Sequence, residues 1–200
     1  MNCAPLKIDN LPGISKIVWI DEADSTQSVA RELAVEGAAE KTLVIADVQT
    51  AGRGRLGREW ESGCGGLFMT LLLKPETGLK YLPELSVLTG EAVAAAIADV
   101  YGIKTRIKKP NDVYAWHPRR RKWLKISGIL TESSSINRAP SWLLLGIGVN
   151  LNNTVKLDTG VSVRAIKGAE VSRGEFLEKF YSVFWLRYAA WEYASQAKSS

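Results

Sequence analysis

Three arginines alternate with three glycines in Gly52-Arg53-Gly54-Arg55-Leu56-Gly57-Arg58, and Glu59-Trp60 follow. A guanidinium binds phosphate or carboxylate through two parallel hydrogen bonds, and unencumbered backbone amides cradle oxyanions. Capture of a polyanion is the chemistry such a loop suits. A solvated basic hairpin tip explains the same composition, because Arg and Gly are common on surfaces. Gly52, Gly54 and Gly57 also fit the spacing of a dinucleotide-binding turn, with strand-like residues 43–48 before them and Glu76 near the place of a ribose-binding acid. That turn must open an apolar helix. Residues 58–66 are polar and broken by glycine, so they will not hold a helix.

Three more blocks could do chemistry. In Lys108-Lys109-Pro110-Asn111-Asp112-Val113, proline pushes Lys109 towards extended backbone, and two short polar side chains follow at a turn. Asn111 and Asp112 could serve an amine, a ribose or a metal-phosphate; an ordinary Asx turn competes. In Lys125-Ile126-Ser127-Gly128-Ile129-Leu130-Thr131-Glu132, a cation enters an apolar strand, and Gly128 leaves room for a ligand against the backbone. A snorkelling edge lysine competes. In Leu145-Gly146-Ile147-Gly148-Val149-Asn150, two glycines weaken a strand unless something approaches closely, with a β-bulge as the alternative.

The elements that must position these blocks follow from periodicity. Strands are predicted at 17–20, 43–48, 67–73 and 105–108, with a pair at 125–133 and 142–150. A half-buried helix is predicted over 27–36, capped by Asp24-Ser25-Thr26 and stopped by Gly37. A long helix spans 82 to about 101, ending at Gly102, and a third runs from 173 to about 194. The third carries Phe176, Phe180, Phe184, Trp185, Tyr188 and Trp191, mostly for the core, with surplus aromatic surface to offer a dimer partner. The order of elements implies a mixed sheet with helices packed on it.

Composition narrows the function. Two hundred residues at 46% hydrophobic fit one domain with a sizeable core. No transmembrane run or signal peptide is evident. Two cysteines make no disulfide framework and suit a reducing compartment. One histidine, His117, with only two cysteines leaves no plausible zinc cluster, and its place beside Arg119-Arg120-Arg121-Lys122 suggests an exposed loop rather than a catalytic triad. The net charge of +5 favours anionic ligands, nucleic acid among them.

Together the blocks resemble one family, the biotin protein ligases (holocarboxylase synthetases). Residues 49–60 look like its adenylate-binding loop, and residues 108–112 like its Lys-Trp-Pro-Asn-Asp block. Residues 125–132 look like its Lys-x-x-Gly-Ile-Leu-x-Glu strand, and residues 146–150 like its Gly-x-Gly-x-Asn strand. Asp24-Ser25-Thr26 stands where the family has Asp-Ser-Thr. The resemblance implies an α+β fold like the class II aminoacyl-tRNA synthetases, a mixed β-sheet flanked by helices. It implies formation of biotinyl-5'-AMP from biotin and ATP, with Mg, then transfer to a lysine of a carboxylase biotin carrier domain.

Residue by residue, the resemblance implies that Ser25, Thr26 and Gln49 bind the ureido and ring region of biotin, with Gln27 where the family often has Asn. Arg53, Gly54 and Arg55 would wrap the carboxylate and α-phosphate. Arg58 would reach the phosphates, and Trp60 would lie against adenine. Lys125 would be the principal catalytic cation, with Arg55 beside it and Gly128 lining the biotin site. Asn111, Asp112 and Asn150 would serve the nucleotide and its magnesium, without a dedicated protein cage. The loop is expected to be mobile when empty. Lys109 replaces the family's usual Trp, and residues 113–124 look like an inserted surface loop. The chain 1–200 reads as one catalytic domain, without a preceding helix-turn-helix or the small SH3-like C-terminal β-domain. DNA binding and membrane attachment are therefore not expected, a homodimer stays open, and the cytoplasm is the expected location. A lipoate or octanoate ligase, and a non-catalytic biotin- or nucleic-acid-binding module, are the alternatives. The module lacks the aromatic stripe that single-strand binders use.

Overall fold

The computed structural model describes residues 3, 6, 8–75, 81–136 and 139–197, with the side chains of 135, 136, 139 and 140 left aside. Glu76 lies outside these residues.

Seven strands form one mixed sheet: β1 Lys16–Ala23, β2 Thr42–Gln49, β3 Leu67–Leu73, β4 Thr105–Lys108, β5 Asp112–His117, β6 Lys122–Ile136 and β7 Ala139–Val149. Their spatial order is β1-β2-β3-β7-β6-β5-β4. Only β1 and β2 run parallel, joined through helix α1, Thr26–Val35; the remaining neighbours are antiparallel. Strand β3 is buried at every position, as its unbroken apolar run requires. Helix α1 covers one face, packing Ala30 and Ala34 on Val44, Leu72 and Leu144. Helices α2, Leu82–Tyr101, and α4, Arg173–Ala197, cover the other face with most of the core. Gly102 ends α2 in the left-handed conformation that its glycine allows. The short helix α3, Val163–Lys167, was not visible in the sequence pattern.

The α4 aromatics are largely absorbed within the chain. Phe176, Phe180, Tyr181 and Phe184 are fully buried, and Tyr188 and Trp191 nearly so. Trp185 donates to the Pro12 carbonyl at 2.6 Å and packs against Gly13. A buried ion pair ties the start of α4 to the sheet: Arg173 Nη1 lies 2.8 Å from Asp47 Oδ1 on β2 and also donates to the Gly66 carbonyl.

Three expectations are corrected. Residues 113–124 are not an inserted loop; they form the hairpin of β5 and β6. Val113, Ala115 and His117 point inward while Tyr114 and Trp116 point out, the alternation of a half-buried strand. His117 is accordingly buried, 7% exposed, and accepts from the Arg120 amide through Nδ1. Desolvation first, then Arg120 and Arg119, hold its imidazole pKa below the usual value. Cys3 and Cys64 are not free thiols but a disulfide, with Cα atoms 5.5 Å apart across 61 residues. Packing of Leu6, Ile8 and Leu11 on the main core carries the N-terminal segment back to the turn holding Cys64.

Candidate active site

The glycines of β6 and β7 make the floor of the site. Gly128 pairs with Gly148, and Gly146 pairs with Leu130 on one side and Thr70 on the other. The register runs unbroken here, so the bulge reading of Gly146 and Gly148 does not hold. Close approach explains them. A Cβ on Gly148 would stand 2.4 Å from Trp60 Nε1, and one on Gly146 would stand 3.0 Å from Gln27 Oε1.

The start of α1 makes one wall. Ser25 caps the helix by accepting from the Gln27 amide. Gln49, at the end of β2, accepts through Oε1 from the Thr26 amide at 2.8 Å and donates through Nε2 to Ser62 Oγ at 2.7 Å. Thr70 donates to the Thr26 hydroxyl at 2.8 Å. These bonds leave Gln27 over the floor, 4% exposed, with neither its Nε2 nor its Oε1 hydrogen-bonded. A buried amide without partners costs about 1–3 kcal/mol, which a complementary ligand would recover.

The Arg/Gly loop makes another wall. Its ends are pinned: Thr50 and Ala51 donate to the carbonyls of Ala23 and Asp24, and Trp60 donates to that of Gly52. Gly54 donates to the Arg58 carbonyl at 2.7 Å, closing a hairpin around a single 3-10 turn, Arg55–Gly57. Leu56 stands at its tip, 88% exposed. Arg55 Nη1 donates to Asn111 Oδ1 at 2.9 Å, bridging the loop to the turn between β4 and β5. That turn holds the Lys109–Pro110 bond in the cis form.

Three cavities adjoin here: one of about 890 Å³, between the Arg/Gly loop, Ser86, Asn111 and residues 129–132, and two that all fourteen predicted site residues line, singly or together. The inner of these two is lined by Ser25, Thr26, Gln27, Gln49, Arg53, Lys125 and Gly128 among others, and holds about 60 Å³ of free space. It is narrow because the Trp60 indole lies over Gly128 and Gly148. The outer one, about 470 Å³, is lined by Arg58, Asp112 and Asn150. Gly54, Arg55, Trp60, Asn111 and Lys125 line both. Lys125 Nζ sits 2.6 Å from Asp112 Oδ1 and 5.1 Å from the centre of the Trp60 ring. The Asn150 carboxamide accepts from Asn153 Nδ2 at 3.0 Å.

Some contributors escaped the sequence reading. Thr70 and Ser62 orient the α1 wall, and Phe68 lines the inner cavity. Lys108 and Tyr114 line the outer one. The alternation of β5 is the signal that would have found Tyr114; nothing in the local sequence singles out Thr70.

A family model described as the Biotin/lipoate A/B protein ligase family matches residues 19–150, well over half of the chain. The chain belongs to that family. This biotin/lipoate ligase domain is 36% identical over 179 residues to the bifunctional ligase/repressor BirA of Bacillus subtilis, covering 86% of the chain and 53% of that protein. It is 36% identical over 172 residues to the biotin–[acetyl-CoA-carboxylase] ligase of Paracoccus denitrificans, covering 80% of the chain and 68% of the relative. The biotin protein ligase of Aquifex aeolicus solved with biotin and ATP superimposes with a TM-score of 0.70 at 32% identity, over 86% of this chain and 69% of that one. The seven-stranded mixed sheet with flanking helices is therefore the fold of biotin protein ligase catalytic domains. The chain spans about half the length of the Bacillus relative. Among the described residues, no helix is long and apolar enough to cross a membrane.

Proposed function

We propose that this domain joins biotin to ATP as biotinyl-5'-AMP and passes the biotinyl group to a lysine of a biotin carrier domain. The observation that carries the biotin assignment is Gln27. Its buried amide offers one donor and one acceptor group, unpartnered, in the wall of the inner cavity. A cyclic urea supplies the matching acceptor and donor. The dithiolane of lipoate and the alkyl chain of octanoate supply neither, and would leave the amide's cost unrecovered.

The ureido ring would sit by Ser25, Thr26, Gln27 and Gln49. The valeryl chain would run over the glycine floor, with Trp60 drawn aside to admit it and then laid against adenine. The carboxylate would arrive where the inner and outer cavities meet. There its oxygen attacks the α-phosphorus of ATP, a P–O bond forms, and the bond to the bridging oxygen breaks to release pyrophosphate. The step brings two anions together and builds charge on phosphoryl oxygens, so preorganised cations are what it needs. Lys125, Arg53 and Arg55 would supply them, with Arg58 on the outer phosphates and Asn111, Asp112 and Asn150 around the nucleotide. Asp112 would hold Lys125 in place through their ion pair.

Among the described residues, no group of three or more acidic, His or Cys side chains converges to hold a metal. Magnesium would neutralise the triphosphate it arrives with, and Asn111, Asp112 and Asn150 are the side chains that would share it. In the second step a carrier lysine, uncharged, attacks the acyl carbon, AMP leaves, and the amine proton passes to solvent.

Competition tests the substrate. Biotin, lipoate and octanoate are offered together with ATP, and the adenylates are separated by mass. Biotinyl-AMP should dominate by about 10⁴-fold, the scale on which a site built for hydrogen bonds rejects a ligand lacking them. Equal or greater lipoyl-AMP overturns the biotin reading.

A further inference from the structure

From the rim of the outer cavity outward, the β5–β6 hairpin and edge strand β4 carry a surface most of which adenylate formation does not use. Residues 104–122 contain eight Lys or Arg and one acid, Asp112, which is already paired with Lys125 of the site. Lys104, Arg106, Lys108 and Lys109 are exposed along the edge strand and its turn, and residues 118–122 are exposed at the hairpin tip. Strand pairing places Arg106 beside Tyr114, and Trp116 beside Trp123, on one face. The two indoles meet edge-on at 5.6 Å between ring centres. The chain does therefore own an aromatic row. It was not legible in the sequence because positions 114, 116 and 123 meet only through the β5–β6 register.

Each part of the row bears on what it binds. The Arg106 guanidinium lies 4.6 Å from the Trp123 ring centre and 5.9 Å from that of Tyr114, and Lys108 Nζ lies 5.6 Å from Tyr114. These cations cover ring faces on which bases would stack, which counts against a single-stranded nucleic acid. They are also held in place with their charge outward, ready for carboxylates. The row is continuous with the site. Lys108 and Tyr114 line the outer cavity, and Tyr114 is the register partner of Lys125. A macromolecule seated here has its rim against the place where the acyl group is activated.

We propose that the β4–β5–β6 face is the docking surface for the acceptor protein, and that it selects a carrier domain with acidic side chains flanking its target lysine. This rests on the ligase reading above. The edge strand and tip steer and orient the carrier by charge, while the cavities do the chemistry. Rim charges of this kind act chiefly on association rate and salt dependence.

The test uses R119E/R120E, both at the exposed tip and outside the cavities of the site, with R119Q/R120Q as a milder second variant. The probe is the biotin carrier domain of an acetyl-CoA carboxylase, with a form whose acids near the target lysine are changed to Lys. Biotinyl-AMP formation should be unchanged in both variants. For R119E/R120E, kcat/KM for the carrier should fall at least about tenfold at low salt, the lower end of electrostatic steering. The salt dependence should flatten, and the Lys-substituted carrier should recover part of the loss. Unaltered carrier kinetics and salt slope in both variants overturn the proposal. So does a single-stranded DNA 20-mer that binds the parent protein and is lost in R119E/R120E while carrier kinetics stay constant. Absence of biotinyl-AMP from the parent protein is a failure of the ligase reading instead. Direct titration of the carrier against parent and variants then decides the docking surface by itself.

Discussion

Adding one methyl group to the floor of the site separates a built groove from an incidental pair of glycines. In Gly148→Ala the new Cβ would stand 2.4 Å from Trp60 Nε1 and 2.6 Å from its Cε2. Carbon contacts settle near 3.5 Å or beyond, so whatever lies over residue 148 must ride about 1.1 Å higher. The Trp60 backbone cannot follow freely, because its amide is tied to the Gly52 carbonyl. A misplacement of about 1 Å at a reacting centre costs on the order of 10²-fold in rate. Gly128→Ala meets the same ring at 3.0 Å and should cost only a few-fold, and Gly63→Ala, with nothing within 4 Å, should cost nothing. The assay is biotin-dependent pyrophosphate exchange, with thermal melting to confirm that all three variants fold. Activity of Gly148→Ala within about threefold of the parent, or no ordering among the three, would refute the close-approach reasoning.

Lys125→Ala should lower the adenylation rate by about 10²–10³-fold, the effect of removing one preorganised charge donor; near-parental pre-steady-state rates would remove Lys125 from the chemistry. Gln27→Met should raise the melting temperature of the protein alone, because it removes a buried amide without partners, and should weaken biotin binding at least about tenfold by calorimetry; unchanged biotin affinity contradicts the ureido assignment. His117 is neutral and buried, and its pKa is held below the usual value. The unfolded chain therefore takes up the proton first, so stability present above about pH 6.5 is lost as pH falls towards the folded-state value. Urea midpoints at pH 7.5 and 5.5 should differ less in His117→Asn than in the parent, and equal differences would deny the effect. Biotin with ATP should slow proteolysis within residues 50–60 by ordering the Arg/Gly loop; unchanged cleavage kinetics count against that ordering.

Where local physics decides, the sequence was sufficient. Strands β3 and β4 were bounded correctly to the residue and the end of helix α2 approximately, because a continuous apolar run, a proline and a glycine stop each mark an end. Ten of the fourteen candidate site residues were marked by four blocks, each joining a special backbone position to a polar side chain; Ser25, Thr26, Gln27 and Gln49 were indicated only by the family resemblance. What the sequence hid is long-range. The Arg run after His117 masked the alternation of β5, which is a hairpin strand only because β6 is there to pair with it. The meeting of Cys3 with Cys64, the support of Thr26 by Thr70 and the seating of Trp60 on Gly148 join residues far apart in the chain. No periodicity or spacing reports them.

The most direct measurement is a single-turnover reaction of the purified chain with biotin, ATP and magnesium, read by mass spectrometry, followed by addition of a biotin carrier domain. The expected result is biotinyl-AMP and pyrophosphate in equal amounts, then a biotinyl amide on one carrier lysine with release of AMP. No biotin-dependent adenylate at saturating substrates would contradict the ligase assignment and leave a biotin-binding module in its place.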